Sequence, residues 1–322
     1  MKSKSILTRY EGNPLFDPAD FPYYRVEQIF NPGQVMTPDG RTILILSVLP
    51  MGASRPCCHI AESADGLHFE IQQEPCFTFE NSAFQGYDGW PIDCRVTFFA
   101  EENCYYIIRP GNGADLGPAA LLYRTEDFRT FEPIDIISLP SNRVPCLFPE
   151  KIGGKYVRLD RPYSHGAPMA KAFANIWLSR SPDLIHWGEN RVVLRRGCTR
   201  WASSKIGPTP PVRTDKGWLE IYHGVLDTFS GFRYCIGACL LDLEQPEKVL
   251  GVMKSYLLAP ETEYELNGVI PNVVFTTGCV VDPASRELRI YYGASDTSIG
   301  LATGNVDEIV EMCLKGDGMI NS

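Results

Sequence analysis

Apolar residues along this chain fall in short runs, rich in aromatic and β-branched side chains and cut by glycine and proline. Almost no window sustains helical periodicity, so the pattern predicts an all-β protein. One helix is expected, at Asn305 to Leu314, where Val306, Ile309, Val310 and Cys313 recur at i, i+3, i+4 and i+7 and form a single apolar stripe.

Aligning the chain with itself exposes a repeat. Cys58 to Glu70, Ala120 to Glu132 and Asn175 to Trp187 each read as a strand, a Ser/Thr-x-Asp turn and an aromatic residue four positions after the aspartate. Weaker copies lie at Ile236 to Glu244 and at Ile299 to Thr303 with Asp307, so the marker aspartates stand 62, 56, 59 and 65 residues apart. A period of that size, built of short strands and turns, suits one four-stranded propeller blade, which buries its faces only against its neighbours. Five copies predict one domain over residues 1–322, a five-bladed β-propeller with a short C-terminal helix. All five marker aspartates read as structural, because an aspartate side chain bonds its own turn backbone.

Composition narrows the function. The chain has 322 residues, 44% of them hydrophobic, enough for a large core, yet no apolar run approaches the roughly 20 residues of a membrane span. Met1 to Tyr10 lacks the apolar stretch of a signal peptide, which makes a cytoplasmic protein the expectation. The 11 cysteines show neither CxxC pairs nor metal-like spacing and are expected as reduced core thiols. His59, His68, His165 and His186 show no ligand spacing either, so no metal site is expected. A formal net charge of -9 argues against nucleic acid as a partner, which needs a basic stripe.

Gly89 to Thr97 carries the first candidate chemistry. Asp93 and Arg95 stand two apart at the head of Arg95-Val96-Thr97-Phe98-Phe99, and residues two apart on a strand share a face. An arginine that close holds the aspartate ionised unless burial opposes it, an arrangement that suits catalysis and equally suits a salt bridge. In a propeller the inner strands line a central channel, so functional groups come from the same early position of several blades. By that rule the candidates are Asn31-Pro32-Gly33 and Ser54-Arg55 in blade one and Asp93 and Arg95 in blade two. Blade three offers Leu147 to Ile152 and Tyr156 to Pro162; blade four offers Trp201 to Pro211, Tyr222-His223-Gly224 and Arg233-Tyr234; blade five offers Pro271 to Gly278 and Tyr291 to Thr297.

Taken in order, Phe148 to Lys151, Asp160-Arg161-Pro162, Ser204 to Pro211, Tyr222-His223-Gly224, Pro271 to Gly278 and Tyr291 to Thr297 closely resemble the five-bladed mannoside phosphorylases of glycoside hydrolase family 130, across nearly the whole chain. The resemblance implies inverting phosphorolysis, in which a β-mannoside and inorganic phosphate give α-mannose 1-phosphate and a shortened acceptor. No cofactor is implied; phosphate is a co-substrate, and the expected partners are a β-mannoside oligosaccharide and phosphate, with a homo-oligomer left open. The resemblance puts the single catalytic acid at Asp93, its proton passed through the mannose 3-hydroxyl. It assigns phosphate binding to Arg161, Lys205, His223 and Tyr234, and sugar binding to Asn31, Arg55, Arg95, Lys205 and Asp296. Arg95 becomes the orienter of Asp93, and Trp90 and Trp201 become platforms for sugar faces. One carboxylate is chemically sufficient: an inverting hydrolase needs a second to activate water, whereas phosphate is already a nucleophile and needs cations to hold it.

Each residue has a plainer role open to it. Arg161 can pair Asp160, His223 can be a core histidine, Lys205 a solvated loop lysine and Asp296 another turn aspartate. The sequence also departs from the family pattern. Its Glu-Asp-Pro-Arg element reads Ile92-Asp93-Cys94-Arg95, Asp160 replaces a usual histidine, and Ala119 stands where relatives often carry arginine. Asp160 beside a phosphate site adds repulsion unless Arg161 neutralises it. Gly111 to Gly117 looks like a phosphate cradle but lacks the strand-to-helix context, and reads as a loop on the channel rim. Acceptor choice is expected in rim loops, including Asn112 to Gly117 and Tyr163 to Ala172. Two alternatives stand: a β-mannoside hydrolase on the same fold, drawing a second carboxylate from Glu150, Asp160 or Asp296, and a non-catalytic glycan-binding propeller.

Overall fold

The computed structural model describes residues 5–113, 117–164 and 173–316, and five antiparallel blades dominate it. Blade one runs Val26–Met36, Thr42–Pro50, Cys57–Ser63, Glu70–Ile71, and blade two Arg95–Phe99, Cys104–Gly113, Gly117–Thr125, Glu132–Ile136. Blade three runs Cys146–Leu147, Tyr156–Asp160, Ile176–Ser181, Gly188–Leu194, and blade four Lys205–Gly207, Trp218–Thr228, Gly231–Leu241, Val249–Val252. Blade five takes Val274–Phe275, Glu287–Ala294 and Ser298–Asn305, then borrows its outermost strand, Thr8–Arg9, from the start of the chain. That borrowed strand closes the ring and covers an edge that would otherwise be open.

Period-two alternation builds the core, because successive side chains of a strand face opposite neighbours. In Thr42–Pro50, Leu44, Leu46 and Val48 pack with Tyr291 and Leu301 of blade five, while Ile43 and Ile45 pack with Val96 and Ile107 of blade two. Leu219 and Ile221 face Leu288 and Ile290 of blade five; Trp218 and Tyr222, from the same strand, face Leu159 and Leu178 of blade three. Phe99, Ile108 and Leu122 meet Leu147 and Tyr156 between blades two and three. Each such side chain contributes roughly 1.5–3 kcal/mol on burial, and every blade draws that from the blades beside it.

The repeat aspartates behave as turn residues in four copies. Asp65, Asp127, Asp183 and Asp242 each accept backbone N–H groups from two and three residues on, for example Arg129 at 2.8 Å and Thr130 at 2.9 Å for Asp127. The fifth copy departs from the expectation. Asp307 lies in the first turn of the closing helix, Val306–Lys315, and pairs with Arg286 at 2.8 Å. Asn305 caps that helix, accepting from Asp307 and Glu308 N–H, so the chain turns helical where the other copies turn into an outer strand. Val306, Ile309, Val310 and Cys313 are its buried face, as their spacing predicted. A second helix, the single turn Glu263–Leu266, was not foreseen.

Tyr163–Ser164 and Phe173–Ala174 form a hairpin between blades three and four, and Ala174 pairs in parallel with Lys205. Most of the expected acceptor loop at Tyr163 to Ala172 lies outside the described residues, as does the centre of the Asn112 to Gly117 loop. All 11 cysteines are free thiols. Among the described residues, no helix is long and apolar enough to cross a membrane.

Candidate active site

A cavity of about 350 Å³ opens where the blades converge, and each of them contributes to its wall. Asn31, Asp93, Arg143, Arg161, Lys205, Tyr234 and Asp296 line it, with Phe232 and Phe275 as apolar wall. Its volume suits a small ligand. A larger recess of about 1330 Å³ lies beneath the closing helix. There Lys216 and Lys315 pair with Glu311 and Arg286 pairs with Asp307, so the charges satisfy one another and the convergent chemistry is in the smaller cavity.

Backbone strain delivers the polar side chains. Asn31, Asp93 and Asp296 all have positive φ, at 42°, 56° and 49°, and Val144 beside Arg143 stands at 70°. Such values are uncommon outside glycine and cluster at functional sites. In blade one the inner strand slips register between Phe30 and Gly33, a bulge at Asn31-Pro32 that re-aims the asparagine. A side chain at Gly293 would collide with the Asn31 amide oxygen, so blade five leaves room for it only as glycine.

Asp93 precedes the strand that sequence reading placed it on, which begins at Arg95. Its left-handed backbone breaks the two-residue alternation, and Arg95 therefore meets the Asp93 backbone carbonyl, through Nη1 at 2.6 Å, instead of the carboxylate. The carboxylate accepts from Asn31 Nδ2 at 2.9 Å and from Arg143 Nη2 at 2.9 Å. Burial pushes the Asp93 pKa up, but Arg143 and Arg95 outweigh it and hold the group below the usual carboxylate range. Arg95 is buried, lies over the Phe275 ring, and is itself brought down to about 10 by burial. Arg143 was missed by sequence reading. It stands three residues before the inner strand of blade three, close to the place Asp93 takes two residues before the inner strand of blade two, and that likeness was the available signal.

The rest of the polar wall is mostly cationic. Burial, followed by Arg161 and Arg143, brings the Lys205 ammonium down to about 7 against the pull of Asp296, and its Nζ lies 5.0 Å from the Tyr234 ring centroid. Arg161 Nη1 meets His223 Nε2 at 2.9 Å. Arginine only donates, so Nε2 accepts and the imidazole proton is on Nδ1. Burial, with Arg161 and Arg95 next, pushes the His223 pKa well below its ordinary value and keeps the ring neutral. His223 thus stands behind Arg161 and orients it, outside the cavity wall. Asp296 is pushed up to about 6 by burial first and then by the Asp93 charge, with Arg143, Asn31 and Lys205 opposing.

Six of the nine expected site residues line the cavity: Asn31, Asp93, Arg161, Lys205, Tyr234 and Asp296. Arg95 and His223 back it. Arg55 stands apart, exposed on a turn with its guanidinium 3.6 Å from the Phe79 ring centroid. Trp201 is no sugar platform, because it is buried, stacked 5.5 Å from Tyr222, and bonded through Nε1 to Lys254 O. Trp90 is 37% exposed and outside the cavity wall. The Asp160 charge is met by Arg158 at 2.8 Å, with Asn142 and Ser179 donating to it, so Arg158 supplies the neutralisation expected of Arg161. Glu150 pairs with Arg213 away from the cavity. Among the described residues no cluster of three His, Cys, Asp or Glu is arranged to hold a metal.

The family model for glycoside hydrolase family 130, described as beta-1,4-mannooligosaccharide phosphorylase, matches residues 4–315. The chain is 34% identical over 316 residues to a beta-1,4-mannooligosaccharide phosphorylase of Ruminococcus albus, covering 96% of this chain and 91% of that one. It is 35% identical over 255 residues to a beta-1,2-mannobiose phosphorylase of Listeria innocua, covering 78% and 67%. The solved complex of a Listeria innocua beta-1,2-mannobiose phosphorylase with beta-1,2-mannobiose superposes with a TM-score of 0.82 at 29% identity, over 95% of this chain and 99% of that one. With a five-bladed ring, a cavity at its axis and relatives matched end to end, the chain belongs to glycoside hydrolase family 130, the mannoside phosphorylase family.

Proposed function

We propose that the protein catalyses inverting phosphorolysis of a β-1,4- or β-1,2-linked mannoside, or of mannosyl-glucose, giving α-mannose 1-phosphate and a shortened acceptor. One observation carries the reading: the cavity gathers a carboxylate pair joined through Asn31 and three cations, Arg143, Arg161 and Lys205, around one desolvated space. A dianion relieves that crowding. Arg161 supplies a planar fork, Lys205 a point charge and Tyr234 a hydroxyl, while neutral His223 holds the fork in place.

Asp93 is the proton donor in this scheme and Asp296 a sugar-hydroxyl acceptor. Arg143 keeps Asp93 ionised before phosphate binds. Phosphate drawing on Arg143 weakens that hold and adds negative charge nearby, so the Asp93 pKa rises and the acid becomes competent when the nucleophile is in place. No cofactor is required, since the nucleophile arrives from solution.

The hydrolase alternative needs a second carboxylate across the scissile bond from the acid. Glu150 and Asp160 are committed elsewhere, and Asp296 shares Asn31 with Asp93. Incubation with β-1,4-mannobiose, β-1,2-mannobiose and mannosyl-glucose, with and without phosphate, is the test. Mannose 1-phosphate formed only with phosphate is expected, and its yield across the panel assigns the linkage. Mannose released equally in both buffers overturns phosphorolysis, and saturable sugar binding with no turnover turns the protein into a glycan-binding propeller.

A further inference from the structure

Asp88 and Arg109 lie outside the cavity wall, and both are completely buried. Arg109, on the second strand of blade two, meets both Asp88 carboxylate oxygens through Nη1 and Nη2. Its Nη2 also donates to Tyr123 Oη at 2.9 Å, and its guanidinium lies 4.6 Å from the Phe77 and 5.0 Å from the Tyr123 ring centroids. A buried ion pair is weak evidence for stability, because desolvation offsets most of its attraction; what it supplies is one fixed geometry.

The segment it fixes leads straight to Asp93. From Asp88 to Cys94 the chain has no regular secondary structure. Gly89 N–H donates to Asn112 O at 3.2 Å, Cys58 Sγ to Pro91 O at 3.3 Å, and Asp93 N–H to Ser47 Oγ at 3.2 Å. The backbones are in contact: a Cβ on Gly89 would come within 2.7 Å of Asn112 O, and one on Gly111 within 2.8 Å of Tyr87 O. The described part of the glycine-rich run, singled out by sequence as a phosphate-cradle lookalike, is thus a socket for this segment. At its end Asp93 holds a left-handed φ of 56°, a conformation that relaxes once the chain before it is released.

We propose that Asp88 and Arg109 are positioning residues for proton transfer: their buried ion pair, seated against Gly89 and Gly111, sets where the Asp93 carboxylate meets Asn31 and Arg143. The inference rests on Asp93 being the acid.

The test uses the full chain carrying the charge-removing double change Asp88→Asn with Arg109→Gln, and separately Gly111→Ala, which presses on the same segment and leaves the ion pair intact. Expected are a fall in kcat of about 30–100-fold for the double variant and about 10-fold for Gly111→Ala, since misplacement by about an ångström can cost 10²-fold. Phosphate binding by calorimetry stays within about twofold, because Arg143, Arg161 and Lys205 all belong to other blades. In an Asp93→Asn background the same changes cost nothing further, which a merely structural role would not produce. Full kcat in both folded variants, or kcat and phosphate affinity falling in parallel, overturns the proposal. An active Asp93→Asn parent instead overturns the acid assignment, so the two failures are distinguishable.

Discussion

Asp65, Asp127, Asp183 and Asp242 on the outer turns, and Asp93 and Asp296 at the axis, are one side chain satisfied in two ways. The outer set, exposed at Asp65, Asp127 and Asp183 and half-buried at Asp242, is bonded to N–H groups two and three residues away, which lowers the Asp127 and Asp242 pKa values and leaves nothing for a ligand to add. Partners of the inner set come from far along the chain: Asn31 is 62 residues from Asp93 and Arg143 is 50. The two inner carboxylates are displaced in opposite directions: Arg143 and Arg95 hold Asp93 below the usual range against burial, while burial and the Asp93 charge push Asp296 up to about 6. Local satisfaction makes a turn. Distant, incomplete satisfaction in a desolvated cavity makes a site whose charges respond to what binds.

The sharpest way to break this contrast is Asp93→Asn. The amide keeps the shape and removes the proton, so kcat falls by roughly 10²–10⁴-fold, the usual weight of a general acid. Circular dichroism stays that of the parent, and the melting temperature falls modestly, because a carboxylate held below its ordinary pKa contributes stability at neutral pH that the amide forgoes. Near-full activity in this variant would return Asp93 to the structural class.

Lys205→Met is next. Phosphate loses a charge contact at the reacting centre, and kcat/KM for phosphate falls by roughly 10²-fold, the scale of one electrostatic contact to developing charge. Stability moves the other way. Lys205 has a folded pKa of about 7, below the 10.4 or so of an unfolded lysine, so between those values the unfolded chain binds the extra proton and the group's contribution to stability rises with pH. Methionine removes that penalty, and the variant melts higher than the parent at pH 7. A variant that loses both activity and stability would show Lys205 to be an ordinary structural cation.

Titration of the same group gives a subtler measurement. Sulfate remains a dianion across the range, so its affinity isolates the protein's protons. Lys205 is protonated below about 7 and neutral above it, so sulfate Kd rises shallowly near pH 6, where Asp296 ionises, and climbs towards about tenfold per unit above 7, one proton being taken up by Lys205 on binding. Lys205→Arg, always charged, flattens that climb. A parent profile flat from pH 6 to 9 would place the depressed group elsewhere.

The outer half of this comparison was legible in the sequence and the inner half only partly. The Ser/Thr-x-Asp turns repeat because their chemistry is complete within a few residues, and from them the five blades and their order followed. Motif resemblance then named Asn31, Asp93, Arg161, Lys205, Tyr234 and Asp296, all of which line the cavity. Periodicity could not show that Asp93 turns left-handed, so Arg95 was assigned to a carboxylate that Arg143 holds. Nor could it show that Trp201 is consumed by Tyr222, since a tryptophan in a core and one on a sugar have the same local sequence. Long-range partners are set by ring closure, which local pattern does not encode.

The smallest expected effect separates repeat position from physical role. Asp127 and Asp307 occupy the same place in the repeat, but Asp127 accepts two turn N–H groups and the Thr125 and Thr130 hydroxyls, whereas Asp307 makes an exposed ion pair with Arg286 in the first turn of a helix that Asn305 already caps. Alanine at 127 strands turn N–H groups and lowers the melting temperature by roughly 2–4 °C. At position 307 it removes a surface pair and a modest interaction with the helix N-terminus, and the shift is below about 1 °C. Neither change touches the cavity, so mannoside turnover stays within twofold of the parent in both. Equal losses at the two positions would mean that the fifth copy still carries a turn's worth of structure on its aspartate, and that the helix depends on Asp307 more than its Asn305 cap implies.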